Sequence, residues 1–122
     1  MTGALVMTWS PEHRGQEAAA VELMQRSVAF FDDLMRAGRV TGRKIYFLPV
    51  GGPPGGMMVV EGELDTLNEI FWDKAYKRLH VQSRAILADY RATVGAGGEP
   101  ESLRGPLALH HEAIAELDAA AG

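Results

Sequence analysis

The hydrophobic positions along the chain alternate between a strand-like period of two and a helical period of three to four residues, and the clearest stretch runs from Arg43 to Gly62. There Ile45, Tyr46, Phe47, Leu48 and Val50 precede the hexapeptide Gly51-Gly52-Pro53-Pro54-Gly55-Gly56, and Met57, Met58, Val59 and Val60 follow it. These β-branched, aromatic and large apolar residues suit a pleated surface, so the stretch reads as a β-hairpin. Alternation puts Lys44, Tyr46, Leu48 and Val50 on one face and Ile45 and Phe47 on the other, and separates Met58 and Val60 from Met57 and Val59. Both faces are apolar, which predicts a cover on each. The glycines reach positive φ freely and the prolines remove donors, so the hexapeptide ends both strands. A phosphate cradle would need a helix after the turn and a Lys, Ser or Thr within it, and neither is present.

Ala4 to Trp9 reads as a first strand, again apolar on both sides. Ser10 offers an N-cap oxygen and Pro11 suits a first helical position, with Glu12 adding negative charge and Gly15 able to delay regular structure by a turn. The stripe Val21, Met24, Val28, Phe31 and Met35, with Ala20, Ser27 and Leu34 beside it, predicts a long helix stopped at Gly38. After the hairpin, Asp65 is expected to cap a helix beginning near Thr66, with Leu67, Ile70, Phe71 and Trp72 as its apolar face. A break is expected near Asp73, and Asp73 with Lys77 reads as a surface ion pair. Tyr76, His80 and Arg84 then share one helical line, while Leu79, Ile86 and Leu87 continue the burial. Asp89 to Val94 is the last strand, with Tyr90, Ala92 and Val94 on one face and Arg91 and Thr93 on the other. Gly95, Gly97, Gly98 and Pro100 read as a linker, and Leu107, His110, Ile114 and Leu117 as the stripe of a tail helix over 106–120.

Strand, helix, strand, strand, helix, strand is the split β-α-β order of a ferredoxin-like α+β domain, with both helices on one sheet face. We assign residues 1–98 to that domain and 99–122 to a linker and an amphipathic C-terminal helix, which is too short to be stable unless it packs on something. The strands are apolar on the face the helices leave bare, so a homodimer closing face to face is expected. With 122 residues the chain is one domain. Its 12 Lys plus Arg against 16 Asp plus Glu give a formal net charge of -4, and its basic residues are unclustered beyond Arg36, Arg39, Arg43 and Lys44 at a helix end, which argues against nucleic acid as a partner. There is no cysteine, no signal-peptide pattern and no apolar run long enough to span a bilayer, so a cytoplasmic protein with no membrane partner is expected.

At this point the chain resembles the dimeric α/β-barrel superfamily of small ferredoxin-like proteins. The resemblance rests on Ala4 to Trp9, on Arg36 to Gly38 leading into the hairpin, and on Val59 to Phe71 running from strand into helix, and it covers Gly3 to Val94. It implies a dimer and a choice among cofactor-independent monooxygenases, enzymes of polyketide and chlorinated-aromatic metabolism, and haem-binding members. One subgroup uses a His and Asp pair; His13 follows the first strand but has no identifiable Asp partner, so that assignment is not carried over.

Among residues that could carry chemistry, His80 stands first, because imidazole moves protons near neutral pH, and Tyr76 joins it as the second catalytic candidate. The alternative for His80 is a half-exposed helix histidine. Trp9, Tyr46, Trp72 and Tyr90 could grip a planar apolar ligand or serve as core, Arg84 on the helical line of His80 joins them as a ligand-binding candidate, and Arg91 could meet an acid on that ligand or a carboxylate such as Glu61. His110 and His111 point about 100° apart on a helix and lack a partner at i+4, so no metal site is assigned, and no haem-ligation motif accompanies any histidine. Neither a nucleophile triad nor a dinucleotide fingerprint is present, and no cofactor is expected. Two functions remain: a dimeric barrel binding a small apolar or aromatic molecule, as a cofactor-independent monooxygenase or isomerase, and a noncatalytic assembly module using the C-terminal helix.

Overall fold

The computed structural model describes residues 1–121. It is an α+β structure whose four antiparallel strands, β1 (Thr2–Trp9), β2 (Gly42–Phe47), β3 (Gly56–Glu63) and β4 (Arg91–Ala96), lie in the order β2-β3-β1-β4. Helices α1 (Glu17–Arg36), α2 (Leu64–Trp72) and α3 (Lys74–Ile86) make the two crossovers, and α4 (Arg104–Ala121) follows a short 3-10 turn at Pro100–Leu103. This is the ferredoxin-like topology expected from the element order.

Register decides what each strand face does. Leu5 pairs with Val60 and Val94, Met7 with Met58 and Ala92, and Arg43 with Val60, so these residues share the face toward the helices. Leu5, Val60, Leu67, Ile70, Phe31 and Tyr76 are fully buried between sheet and helices, and each aliphatic side chain there contributes about 1.5–3 kcal/mol of burial. The opposite face carries Ala4, Val6, Thr8, Met57 and Val59, all only half-buried, with Tyr46 and Lys44 exposed beside them.

Several boundaries differ from the pattern reading. Pro11 does not begin a helix and Ser10 does not cap one. The Ser10 N–H donates to the Ala88 carbonyl (2.9 Å) and Glu12 bridges to Leu87, so this segment runs beside the α3 exit, and α1 starts only after Gly15, whose φ is +88°. The buried stripe of α1 is rotated: Leu23 is buried, whereas Val21 (60% exposed) and Met35 face solvent. At its end the Arg39 N–H donates to the Leu34 carbonyl and the Gly38 N–H to the Met35 carbonyl, a Schellman stop that places Gly38 at the left-handed position. Strand β2 stops at Phe47, so Leu48 and Val50 lie in the loop and Val50 is exposed.

Helix α2 leaves β3 without a loop. Glu63 holds the cap position without a side-chain hydrogen bond, and Asp65 sits within the first turn instead of capping it. The break at Asp73 is present, with an extended ψ of 145°, but Asp73 and Lys77 form no ion pair. The Lys77 ammonium lies over the Phe71 and Trp72 rings instead, 4.1 and 4.2 Å from their centroids. Gly95 belongs to β4, not to the linker. Arg43 donates to Asp32 of α1 (2.7 Å), tying the edge strand to the helix layer. Helix α4 buries none of its residues.

Candidate functional site

Strands β1 and β2 end, and β3 begins, at the same edge of the sheet, because Trp9 and Phe47 both pair with Gly56. A cleft opens there in two lobes that share Trp9, Glu12 and Met24 as walls. The larger, about 660 Å³, lies under the loop after β2 and is lined by Trp9, Pro11, Ile45, Phe47 and Leu48 among others. The smaller, about 220 Å³, reaches between sheet and α1 to Met7, Leu23, Met58, Leu87 and Tyr90. Both fall near the size of a small-molecule site, and both are walled mainly by apolar side chains.

Trp9 is held as a wall by its neighbour. A Cβ at Gly56 would fall 2.5 Å from the indole ring, so the ring lies on the bare backbone of β3 in a place that only glycine permits.

Behind the smaller lobe stands a cluster of rings. The His80 ring is 5.4 Å from Tyr90 and 6.1 Å from Tyr76, and Phe71 is 5.5 Å from Tyr76. Helix α3 assembles it because residues at i, i+4 and i+7 share one helix face, which here carries buried Tyr76, half-buried His80 and buried Ser83; a step to i+8 drifts off that line, and Arg84 is exposed. The Tyr76 hydroxyl and the His80 Nδ1 are both buried without a hydrogen-bond partner, whereas Ser83 donates to the Leu79 carbonyl (2.7 Å). Burial, with the facing Tyr90 phenol as the smaller cause, pushes the Tyr76 hydroxyl far above the ordinary phenol range. Burial also raises Tyr90, against weaker opposition from Tyr76 and Ser83. His80 is lowered, first by desolvation and then by the Lys77 and Arg84 cations, and so holds an unprotonated ring nitrogen near neutral pH.

The depressed His80 has a measurable consequence. The unfolded state binds its proton near pH 6.5, where the folded state does not, so stability is present above that pH and is lost as pH falls from 6.5 through the lower folded value. Urea midpoints measured from pH 7.5 to 5 should fall for the native chain and fall less for His80→Leu. Equal acid loss in both would remove His80 as the source.

Of the candidate residues, the structure brings Tyr76, His80 and Tyr90 together and places Trp9 and Tyr90 in the cleft walls. His80 and Tyr76 sit behind Tyr90 and do not line either lobe. Tyr46 borders the larger lobe, but its register with Met57 sets its side chain on the opposite sheet face. Trp72 is 72% exposed at the end of α2, edge-on to Phe71. Arg91 is exposed on the outer face, paired in register with Thr8, and makes no ion pair with Glu61. Glu12 was not foreseen as a cleft residue. It lines both lobes only because the segment after β1 docks on the α3 exit, a long-range contact that no local pattern marks. Among the described residues no group of three His, Asp or Glu side chains is placed to hold a metal ion, and His110 and His111 lie exposed on α4.

No protein-family model and no curated protein matches the chain. Solved structures do. One, from Deinococcus radiodurans and described as a candidate antibiotic biosynthesis monooxygenase, superposes with a TM-score of 0.56 at 12% identity, over 81% of this chain and 94% of that one. Another, Rv0793 from Mycobacterium tuberculosis, superposes with a TM-score of 0.53 at 16% identity, over 81% of this chain and 97% of that one. The likeness lies in the arrangement of strands and helices, and it shows the ferredoxin-like fold for this chain.

Proposed function

We propose that this is a homodimeric barrel protein that holds a small, mainly apolar or aromatic molecule in the cleft between the sheet and α1 and acts on a proton of that molecule, as an isomerase or a cofactor-independent monooxygenase does. One observation carries the reading: an apolar cleft walled by Trp9 and Tyr90 has an unprotonated imidazole and a second phenol packed directly behind it. Trp9 offers a flat face for stacking. Tyr90, held in its phenol form, donates to an oxygen on the ligand. His80 is the base nearest the cleft, and a water bridging the ligand to its unpartnered Nδ1 would carry the ligand's proton to it. The description of the Deinococcus neighbour supports the oxygenase branch at the level of fold.

The test uses 2-naphthol as a planar phenolic probe and a Trp72→Phe background, so that Trp9 is the one indole reporting. Binding should quench Trp9 fluorescence, and Tyr90→Phe should weaken it about tenfold, the loss of one buried hydrogen bond, with the unfolding midpoint unchanged. Binding that ignores Tyr90→Phe would sink the assignment of this cleft.

A second reading has its own observation. Helix α4 buries no residue, yet Leu107, Ile114 and Leu117 stand exposed along it, so the chain also carries an element suited to assembly. Loss of Pro106–Gly122 should then change the assembled mass while leaving the core folded.

A further inference from the structure

We infer that α4 is a self-pairing element: it forms an antiparallel two-helix seam with α4 of a second copy of this chain. The inference deepens the assembly reading of α4 and is independent of the ligand-binding reading. Its basis is the spacing of Leu103, Leu107, His110, Ile114, Leu117 and Ala121, which advance by four, three, four, three and four residues. That repeat is the heptad seam of a coiled coil, and it runs from the 3-10 turn to the end of the helix. Leu107, Ile114 and Leu117 are 50%, 46% and 67% exposed, so the seam is unoccupied within the chain.

Charge chooses the direction. The flanking positions on one side of the seam are Arg104, His111 and Asp118, evenly spaced about His111. Antiparallel pairing brings Arg104 of each copy beside Asp118 of the other, twice across the two-fold axis. Parallel pairing sets His111 and Asp118 against Pro106 and Ala113, which offer no charge, and Arg104 against Glu99, which lies before the helix begins. The seam layers agree: antiparallel pairing sets Leu107 against Leu117 and His110 against Ile114, whereas parallel pairing stacks His110 on His110. A single polar seam residue weakens such a pair but fixes its register. A helix of 18 residues pairs weakly by itself, so the contact works alongside whatever else joins two copies.

The chain contains no cysteine, which makes orientation readable. Leu107→Cys and Leu117→Cys, made singly in the full chain, are treated with a short bifunctional thiol crosslinker alone and mixed. In the antiparallel seam the two Leu107 positions lie about 15 Å apart along the axis, beyond the linker, whereas Leu107 of one copy faces Leu117 of the next. The mixture should give covalent dimer and each variant alone little, Ile114→Asp should abolish the product, and near-UV circular dichroism should show the core intact. Arg104→Asp and Asp118→Arg should each lower the yield and together restore it. Self-crosslinking of each variant alone would overturn the antiparallel assignment. No crosslinking in any sample overturns self-pairing altogether; if deletion of Pro106–Gly122 then still changes the assembled mass, the assembly reading survives with another occupant, and if it does not, both readings fall.

Discussion

Tyr76→Ala will cost the fold about 3–5 kcal/mol, the range for emptying a buried aromatic site, which is a large share of the roughly 5–15 kcal/mol that holds a small domain together. Tyr76 is 1% exposed and packs against Phe71, Phe31 and Phe30 from α1 and α2 while riding on α3, so its ring joins the three helices that cover the sheet. Tyr76→Phe should be neutral or stabilising by up to about 1 kcal/mol, because it keeps the ring and removes a hydroxyl that is desolvated without a partner. Urea unfolding of the three proteins decides the matter. A loss beyond 1 kcal/mol in Tyr76→Phe would mean that the hydroxyl is engaged, through Tyr90 or a bridging water, and would move Tyr76 from packing residue to a member of the polar cluster.

Val59→Asp should break association through the sheet face. Val59 pairs with Val6 at the middle of the sheet face that α1, α2 and α3 leave bare, with Met57 and Tyr46 nearby. Two copies meeting through that face would bury both new carboxylates, each beside the Lys44 that pairs with position 59 in register. An ion pair is then desolvated where an apolar contact stood, and the dissociation constant should rise about tenfold to 100-fold, roughly 1.4–3 kcal/mol. Sedimentation equilibrium measures this, with Val81→Asp on the exposed side of α3 as the control that should change nothing. A Val59→Asp protein that still associates as the native chain does would place the interface elsewhere, and crosslinking through α4 would then identify the alternative.

The two proposed interfaces differ physically. The sheet face is broad, with an apolar centre of Ala4, Val6, Met57 and Val59 on strands whose backbone groups are already paired, so it would gain by excluding water. The α4 stripe is narrow and gains from knobs meeting holes and from two charge pairs at its flanks. Removing one should leave the other's signature in place.

Much of this protein was legible in local pattern. Alternation in Ala4 to Trp9, Lys44 to Val50 and Met57 to Val60 marks three strands and their faces, the spacing in α1 and α3 marks helices, Gly38 a stop and Asp73 a break, and only the end of the second strand moves, to Phe47. Those features depend on residues within a few positions of one another, as do the seam of α4 and the identity of the ring-bearing residues of α3. The fold followed because the order of elements permits few right-handed arrangements.

What local pattern misplaced depended on partners distant in sequence. Pro11 and Ser10 had the chemistry of a helix start, but docking against Ala88 and Leu87 captured the segment and delayed α1. Val21 and Leu23 are both apolar, and only the position of α1 over the sheet decided which would be buried. Lys77 meets the Phe71 and Trp72 rings at the end of α2 instead of Asp73, a contact set by how α3 lies against α2. The cleft belongs to the same class. Trp9, Gly56, Glu12 and Tyr90 come from four separate stretches, and their convergence required the register of β1 on β3 and the closure of α1 over both. Local sequence sets the elements, their order and the chemical groups on offer, since these rest on backbone preference and short-range periodicity. Tertiary structure alone decided which of those groups share a site, because burial and distance are set by packing between elements far apart along the chain.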